Sequence, residues 1–149
     1  MFIYNIYFKE EFAIKNNNYL IVGTFDISKY DNTFTQTTTE VILTHERRNH
    51  IIENHPEVKE CINNIGIYLE NPDEIYIQNN VKDTIWIIKR LKSNLKITLK
   101  INTLYNGKDG NKNSIIQMQY MHDSEVRRNI NNGNIKKIWT NNIDNLMNV

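Results

Sequence analysis

Hydrophobic and polar positions follow two different periods along this chain. Residues 74 to 78 (EIYIQ), 84 to 91 (TIWIIKRL), 95 to 101 (LKITLKI) and 114 to 121 (SIIQMQYM) are β-prone runs, which predicts four consecutive strands. Alternation is cleanest over 95 to 101. Leu95, Ile97, Leu99 and Ile101 fall on one side, and Lys96, Thr98 and Lys100 on the other. That pattern predicts an antiparallel strand with one buried face and one wet, basic face. Ser93-Asn94 predicts a tight hairpin before it. Upstream, residues 2 to 8 (FIYNIYF) and 19 to 25 (YLIVGTF) read as two strands, and 40 to 43 (EVIL) as a short third.

Between 45 and 70 the period becomes helical. Thr44 offers an N-cap, and Glu46 places a carboxylate in the first turn, where the helix dipole favours it. The helix HERRNHIIEN should end near His55, because Pro56 disfavours a helical residue before it. Pro56 then opens a second helix whose Val58, Cys61, Ile62, Ile65 and Leu69 make one apolar stripe. Asn71-Pro72 stops it. A last helix is capped by Asp123 or Ser124 and stopped by Gly133, and residues 135 to 139 (IKKIW) form a final strand. The Thr-rich stretch 31 to 39 and the turn-rich stretch 106 to 113 read as loops, and the tail after 140 as weakly docked. The predicted fold class is α+β: one domain over residues 1 to 149, with N-terminal strands and a helical pair packed on a four- to five-stranded antiparallel meander.

Composition adds limits. At 149 residues, 40% hydrophobic and 23% charged, the chain can bury a core without covalent staples. A formal net charge of +1 argues against tight, sequence-independent nucleic-acid binding, so any RNA contact should be local. Cys61 is the only cysteine, which excludes an intrachain disulfide and the multi-cysteine zinc sites. No apolar run approaches a membrane span, and the N-terminus lacks a basic region and a cleavage site. The expected location is therefore cytoplasmic, with no membrane contact. The abundance of Asn, Ile and Lys reads as AT-rich coding and carries no chemistry.

Functional groups are densest in LTHERRNHIIENHPE. With about 100° per residue, Arg47, His50 and Asn54 share a helix face around Ile51, and His55 sits beside it at the helix end. Such a face can be merely solvated. A metal site is disfavoured, because His50 and His55 are five residues apart and lack a third ligand nearby. Cys61, on the apolar stripe, reads as core. Metal-free RNA cleavage would use this chemistry: a base for the 2′-hydroxyl, an acid for the leaving 5′-oxygen, and cations for the phosphorane. Histidine suits the first two roles and Arg or Lys the third.

The run VILTHERRNHIIENHPEV, then IYLENPDEIYIQ, a strand bearing Lys89, KITLKINT, and a loop into NSII resembles the phage-associated branch of the barnase–EndoU–colicin–RelE-like (BECR) nucleases. The likeness covers about residues 22 to 139, leaving 1 to 20 as a strand extension of unknown role. Its most specific part is Arg47, His50, Ile51, His55 and Pro56. Asn71-Pro72-Asp73 and the Asn113-Ser114-Ile115-Ile116 start of the fourth strand follow in the family's order. The resemblance implies helices packed on a four-stranded antiparallel sheet, with a ribonuclease site in the cleft between them. It implies catalytic roles for His50, His55, Arg47 and Ser114; Lys100, Lys89 and Lys96, the cations of the predicted strands, are expected to hold substrate with Gln117. No metal or other cofactor is expected. The implied function is a metal-independent endoribonuclease of phage-associated or toxin type, with RNA as substrate and an immunity or antitoxin protein as partner. The chain departs from the family pattern at Gln117, where Thr is expected, and at Gln119, where an aromatic is common. The alternative is an inactive module of the same fold that binds RNA or a protein.

Overall fold

The computed structural model describes residues 18–103 and 112–141. Among them, seven strands form one sheet: β1 (Tyr19–Thr24), β2 (Glu40–Thr44), β3 (Glu74–Gln78), β4 (Thr84–Arg90), β5 (Asn94–Thr103), β6 (Lys112–Met121) and β7 (Ile135–Thr140). Three α-helices accompany it: α1 (His45–Asn54), α2 (Ile65–Glu70) and α3 (Asp123–Asn131). The strand order is β1-β2-β6-β5-β4-β3-β7. Every pairing is antiparallel except β2 with β6. The α+β class is as expected, but the sheet is wider. The meander β3 to β6 gains β7 along β3, and the β1–β2 hairpin along β6. The predicted strand over 2 to 8 and the tail after 141 lie outside the described residues. So does the predicted loop 106 to 113, except for Lys112 and Asn113, which open β6.

Local chemistry explains most boundaries. Thr44 Oγ1 accepts a hydrogen bond from Arg47 N at 3.1 Å and caps α1, as its sequence predicted. His55 N donates to Ile51 O at 2.7 Å, and Pro56 follows. The expected second helix is not α from the start. Pro56–Asn64 is a 3-10 helix, and only Ile65–Glu70 is α-helical. Val58 to Cys61 and Ile62 to Ile65 are three-residue steps, which a three-residue turn keeps on one side. Gly23 and Gly66 let β1 and α2 touch backbone to backbone: a Cβ on Gly23 would meet Gly66 Cα at 2.9 Å. Asn113 is buried, and its Nδ2 donates to Thr38 O at 2.6 Å and Glu40 O at 2.9 Å, fixing the approach of β6 to β2. His122, rather than Asp123 or Ser124, is the N-cap of α3, and its backbone N donates to Glu125 Oε1 at 3.4 Å. Gly133, at φ 80°, ends that helix as predicted.

The sheet has two unlike faces. One carries Val41, Leu43, Ile75, Ile85, Ile87, Leu95, Ile97, Leu99, Ile101, Ile115 and Met118, under Ile51 of α1, the stripe of the 3-10 helix and Leu69 of α2. Cys61 belongs to this core, with its Sγ 3.2 Å from Tyr120 Oη. The other face carries a smaller cluster in which Tyr76, Trp86, Ile88, Met121 and Ile135 pack around Val126 of α3. The sheet is thus sandwiched between the α1–α2 layer and a single short helix.

Candidate functional site

Strand alternation divides the expected site residues between these two faces. Ile51 of α1 belongs to the same buried cluster as Leu95, Ile97, Leu99 and Ile101, and α1 lies against β2 and β6, so α1 is on that face of the sheet. Lys96, Thr98 and Lys100 alternate with those leucines and isoleucines and therefore lie on the opposite face. Across β5–β6, Lys96 pairs with Gln119, Thr98 with Gln117 and Lys100 with Ser114. Across β4–β5, Ile88 pairs with Lys96, Trp86 with Thr98 and Thr84 with Lys100. Lys96, Lys100, Gln117 and Ser114 thus converge on one face, while His50, His55 and Arg47 belong to the helix on the other. The structure does not bring the histidines together with Lys100 and Ser114: α1 buries Ile51 in the core of one face, and Lys100 and Ser114 lie on the other.

The helical set has local occupations. His50 is exposed, and its Nε2 is 3.2 Å from Asn54 Nδ2, which also donates to His50 O at 2.9 Å. His55 Nδ1 faces Glu57 Oε1 at 3.3 Å. Arg47, half-buried, begins α1 with its backbone N on the Thr44 cap. Lys89, expected to hold substrate, pairs with Leu95 on the helical side of the sheet. It donates to Asn71 O at 2.8 Å, with Asp73 Oδ2 3.6 Å away, so it ties β4 to the chain leaving α2.

The sheet set is unusual for a strand face that sequence predicts to be wet. Lys96 is only 5% exposed, Thr98 6% and Ser114 fully buried. Trp86 explains part of this. Its ring is among the apolar groups around Val126, and Lys96 Nζ sits 4.4 Å from its centroid, a cation–π contact. Lys96 Nζ donates to Gln117 Oε1 at 3.1 Å, and Gln117 Nε2 donates to Gln119 Oε1 at 3.2 Å. Gln119 and Gln117 therefore form one chain ending on the lysine. Burial lowers the Lys96 pKa to about 8, with Glu125 pulling it back up. Burial also lowers Lys100, opposed by Asp83, and its Nζ donates to Lys82 O. Thr98 Oγ1 is buried and has no hydrogen-bond partner among the described residues.

Sequence reading placed Lys96 and Thr98 on one side of β5 but missed Trp86 and Gln119 as their neighbours. The signal was present in register: once β4, β5 and β6 pair as a meander, Trp86 and Gln117 must flank Thr98. Among the described residues no three His, Cys, Asp or Glu side chains are grouped to hold a metal ion, and no helix is long and apolar enough to cross a membrane. Set against family models, curated proteins and solved structures, the chain matches none.

Proposed function

We propose that this protein is a metal-independent endoribonuclease of BECR type that works from the α3 side of its sheet, with Lys96 in place of the helical histidines as the proton-handling group. The observation that supports this reading is Lys96 itself. Its ammonium is buried on the strand face it shares with Thr98, whose buried Oγ1 has no hydrogen-bond partner among the described residues, and its pKa is brought down to about 8. Both features oppose stability: burying a polar group without a partner costs about 1–3 kcal/mol. Perturbed ionisable groups of this kind concentrate at functional sites. In the reaction, neutral Lys96 takes the proton of the 2′-hydroxyl and the freed O2′ bonds to phosphorus. The P–O5′ bond breaks, and the leaving 5′-oxygen takes a proton back from the Lys96 ammonium so formed. Thr98 and Gln117 offer neutral donors to the non-bridging oxygens.

The test is a cleavage time course on a labelled single-stranded RNA in EDTA, with the ends of the products identified. Products with 2′,3′-cyclic phosphate ends, at a rate rising toward pH 8 and lost in Lys96→Met, are expected. No cleavage, or cleavage untouched by Lys96→Met, overturns the catalytic reading. A second reading, an RNA-binding module that does not cleave, is favoured by the placement of His50 and His55 on the helix across the sheet. Retention of RNA in a gel shift without cleavage would select it.

A further inference from the structure

A pocket of about 620 Å³ opens between α3 and the β3–β4 end of the sheet, within the size range of small-ligand sites. Its charges do not mirror those of the whole chain. Arg90, Lys92, Arg127 and Lys137 line it against Glu74 and Asp123, so four cations minus two anions leave +2, with His122 neutral. The entire chain carries only +1. Glu74 organises the floor. Arg90 Nη2 reaches Glu74 Oε1 at 2.6 Å, Lys137 Nζ reaches Oε2 at 2.9 Å, and Tyr76 Oη donates to Oε2 at 2.5 Å. One carboxylate shared by two cations leaves a net positive, rigidly held cradle. Leu91 and Ile130 also line the pocket and, at 40% and 38% exposed, give it an apolar lip.

A cationic cradle beside an apolar lip matches a ligand that is anionic at one end and flat and apolar at the other. We propose that this pocket is a second RNA subsite that takes a nucleotide lying beyond the two that flank the scissile bond. Its phosphate faces Lys92 and Arg127, and its base rests on Leu91 and Ile130. This inference rests on the ribonuclease reading above and extends it along the strand. Ile88 lines the pocket and is the cross-strand partner of Lys96, so pocket and site are contiguous. Asn94, also in the lining, lies two residues from Lys96 along β5, about 7 Å at the usual strand rise. From Lys100 to Asn94 the track runs about 20 Å by the same rise, enough for several nucleotides, with cations at both ends.

The test uses fluorescence anisotropy with a labelled RNA dinucleotide and octanucleotide, on the full chain and on the double variant Lys92→Glu, Arg127→Glu. Both side chains are exposed, so a melt should confirm an intact fold. Octamer affinity should fall about tenfold or more, and the salt dependence should flatten by about 1.4 in log–log slope, from roughly 0.7 per lost single-strand contact. Dinucleotide affinity should stay within about twofold, because the dinucleotide does not reach the pocket. Octamer binding unchanged in the variant overturns the second subsite and leaves the ribonuclease reading standing. Absence of any RNA binding by the unmodified chain removes both. Equal competition by inorganic polyphosphate for the octamer also overturns the proposal, since it would reduce the pocket to a patch of charge.

Discussion

Replacing Lys96 with Met should make the protein more stable while removing its activity. The pKa of Lys96 falls from 10.5 to about 8 because its ammonium is taken out of water. At about 1.36 kcal/mol per unit, keeping that charge in the fold costs on the order of 3 kcal/mol below pH 8. Methionine fills similar space over Trp86 without the charge, but forfeits the bond to Gln117 Oε1, about 1 kcal/mol. The net gain at pH 7 is therefore about 2 kcal/mol, or roughly 4–8 °C for a chain of this length. The sign follows from proton counts. Between pH 8 and 10.5 the unfolded lysine still holds its proton and the folded one has shed it, so stability of the unmodified chain rises with pH through that window. The advantage of Lys96→Met should shrink accordingly. Urea melts of both proteins at pH 7, 8, 9 and 9.5 measure it. Tyr120, raised to about 12 by its bond to Cys61 and by burial, affects both proteins alike and cancels in the difference. If Lys96→Met is less stable than the parent at pH 7 and the gap does not change with pH, the buried-charge account of Lys96 is wrong.

Three further outcomes follow from the same geometry. His50→Ala and His55→Ala should each leave RNA cleavage within about threefold and stability within about 0.5 kcal/mol, as for ordinary surface changes; a loss of about 10²-fold or more in both, with unchanged melts, would return catalysis to α1. Glu74→Gln should cost about 2 kcal/mol at neutral pH by releasing Arg90 and Lys137 from a carboxylate only 10% exposed. Burial pushes that carboxyl up, but bonds from Tyr76, Lys137 and Arg90 outweigh it and hold the pKa below the ordinary value of 4.5. The Glu74 contribution is therefore present above pH 4.5 and fades as pH falls through the lower folded value, so acid melts of parent and variant should converge. Thr44→Ala should remove about 1 kcal/mol by uncapping α1, read as a drop of roughly 2–4 °C in Tm with cleavage intact.

The elements were legible because their signals are local. Thr44 caps α1 through its own third neighbour, Gly133 stops α3, and the alternation around Ile97 needs no partner to be read. What stayed hidden depends on pairings distant in sequence. Nothing near Lys96 in the chain tells that Trp86 will sit beneath it, or that Val126 will close over that face, so a face read as wet is buried. The grouping of His50 with Lys100 failed for a similar reason. The polar side of α1 is visible in sequence, but the side of the sheet on which α1 lies is decided by Ile51 and by the direction in which β2 hands the chain over. Residue types drew these side chains together on paper, and topology separated them. Gln117 and Gln119, met in sequence as departures from a pattern, turn out to be partners of each other and of Lys96.

The one parallel pairing among the described strands carries a consequence for how the chain is made. Val41 meets Asn113, 72 residues later in the sequence. At about 5–20 residues per second, the β1–β2 hairpin leaves the ribosome roughly 4–14 s before β6 exists to receive it. During that interval Val41, Ile42 and Leu43, all buried in the finished protein, line an unpaired edge. Such an edge is a template for pairing with a neighbouring nascent chain. The meander β3 to β6 joins strands that are successive in sequence and can form as soon as each is synthesised. Asn113 and Lys112, gripping Thr38 and Glu40, then act as the latch that ends the exposure. Newborn chains that stall before residue 113 are thus the aggregation-prone form of this protein, whatever the stability of the completed fold.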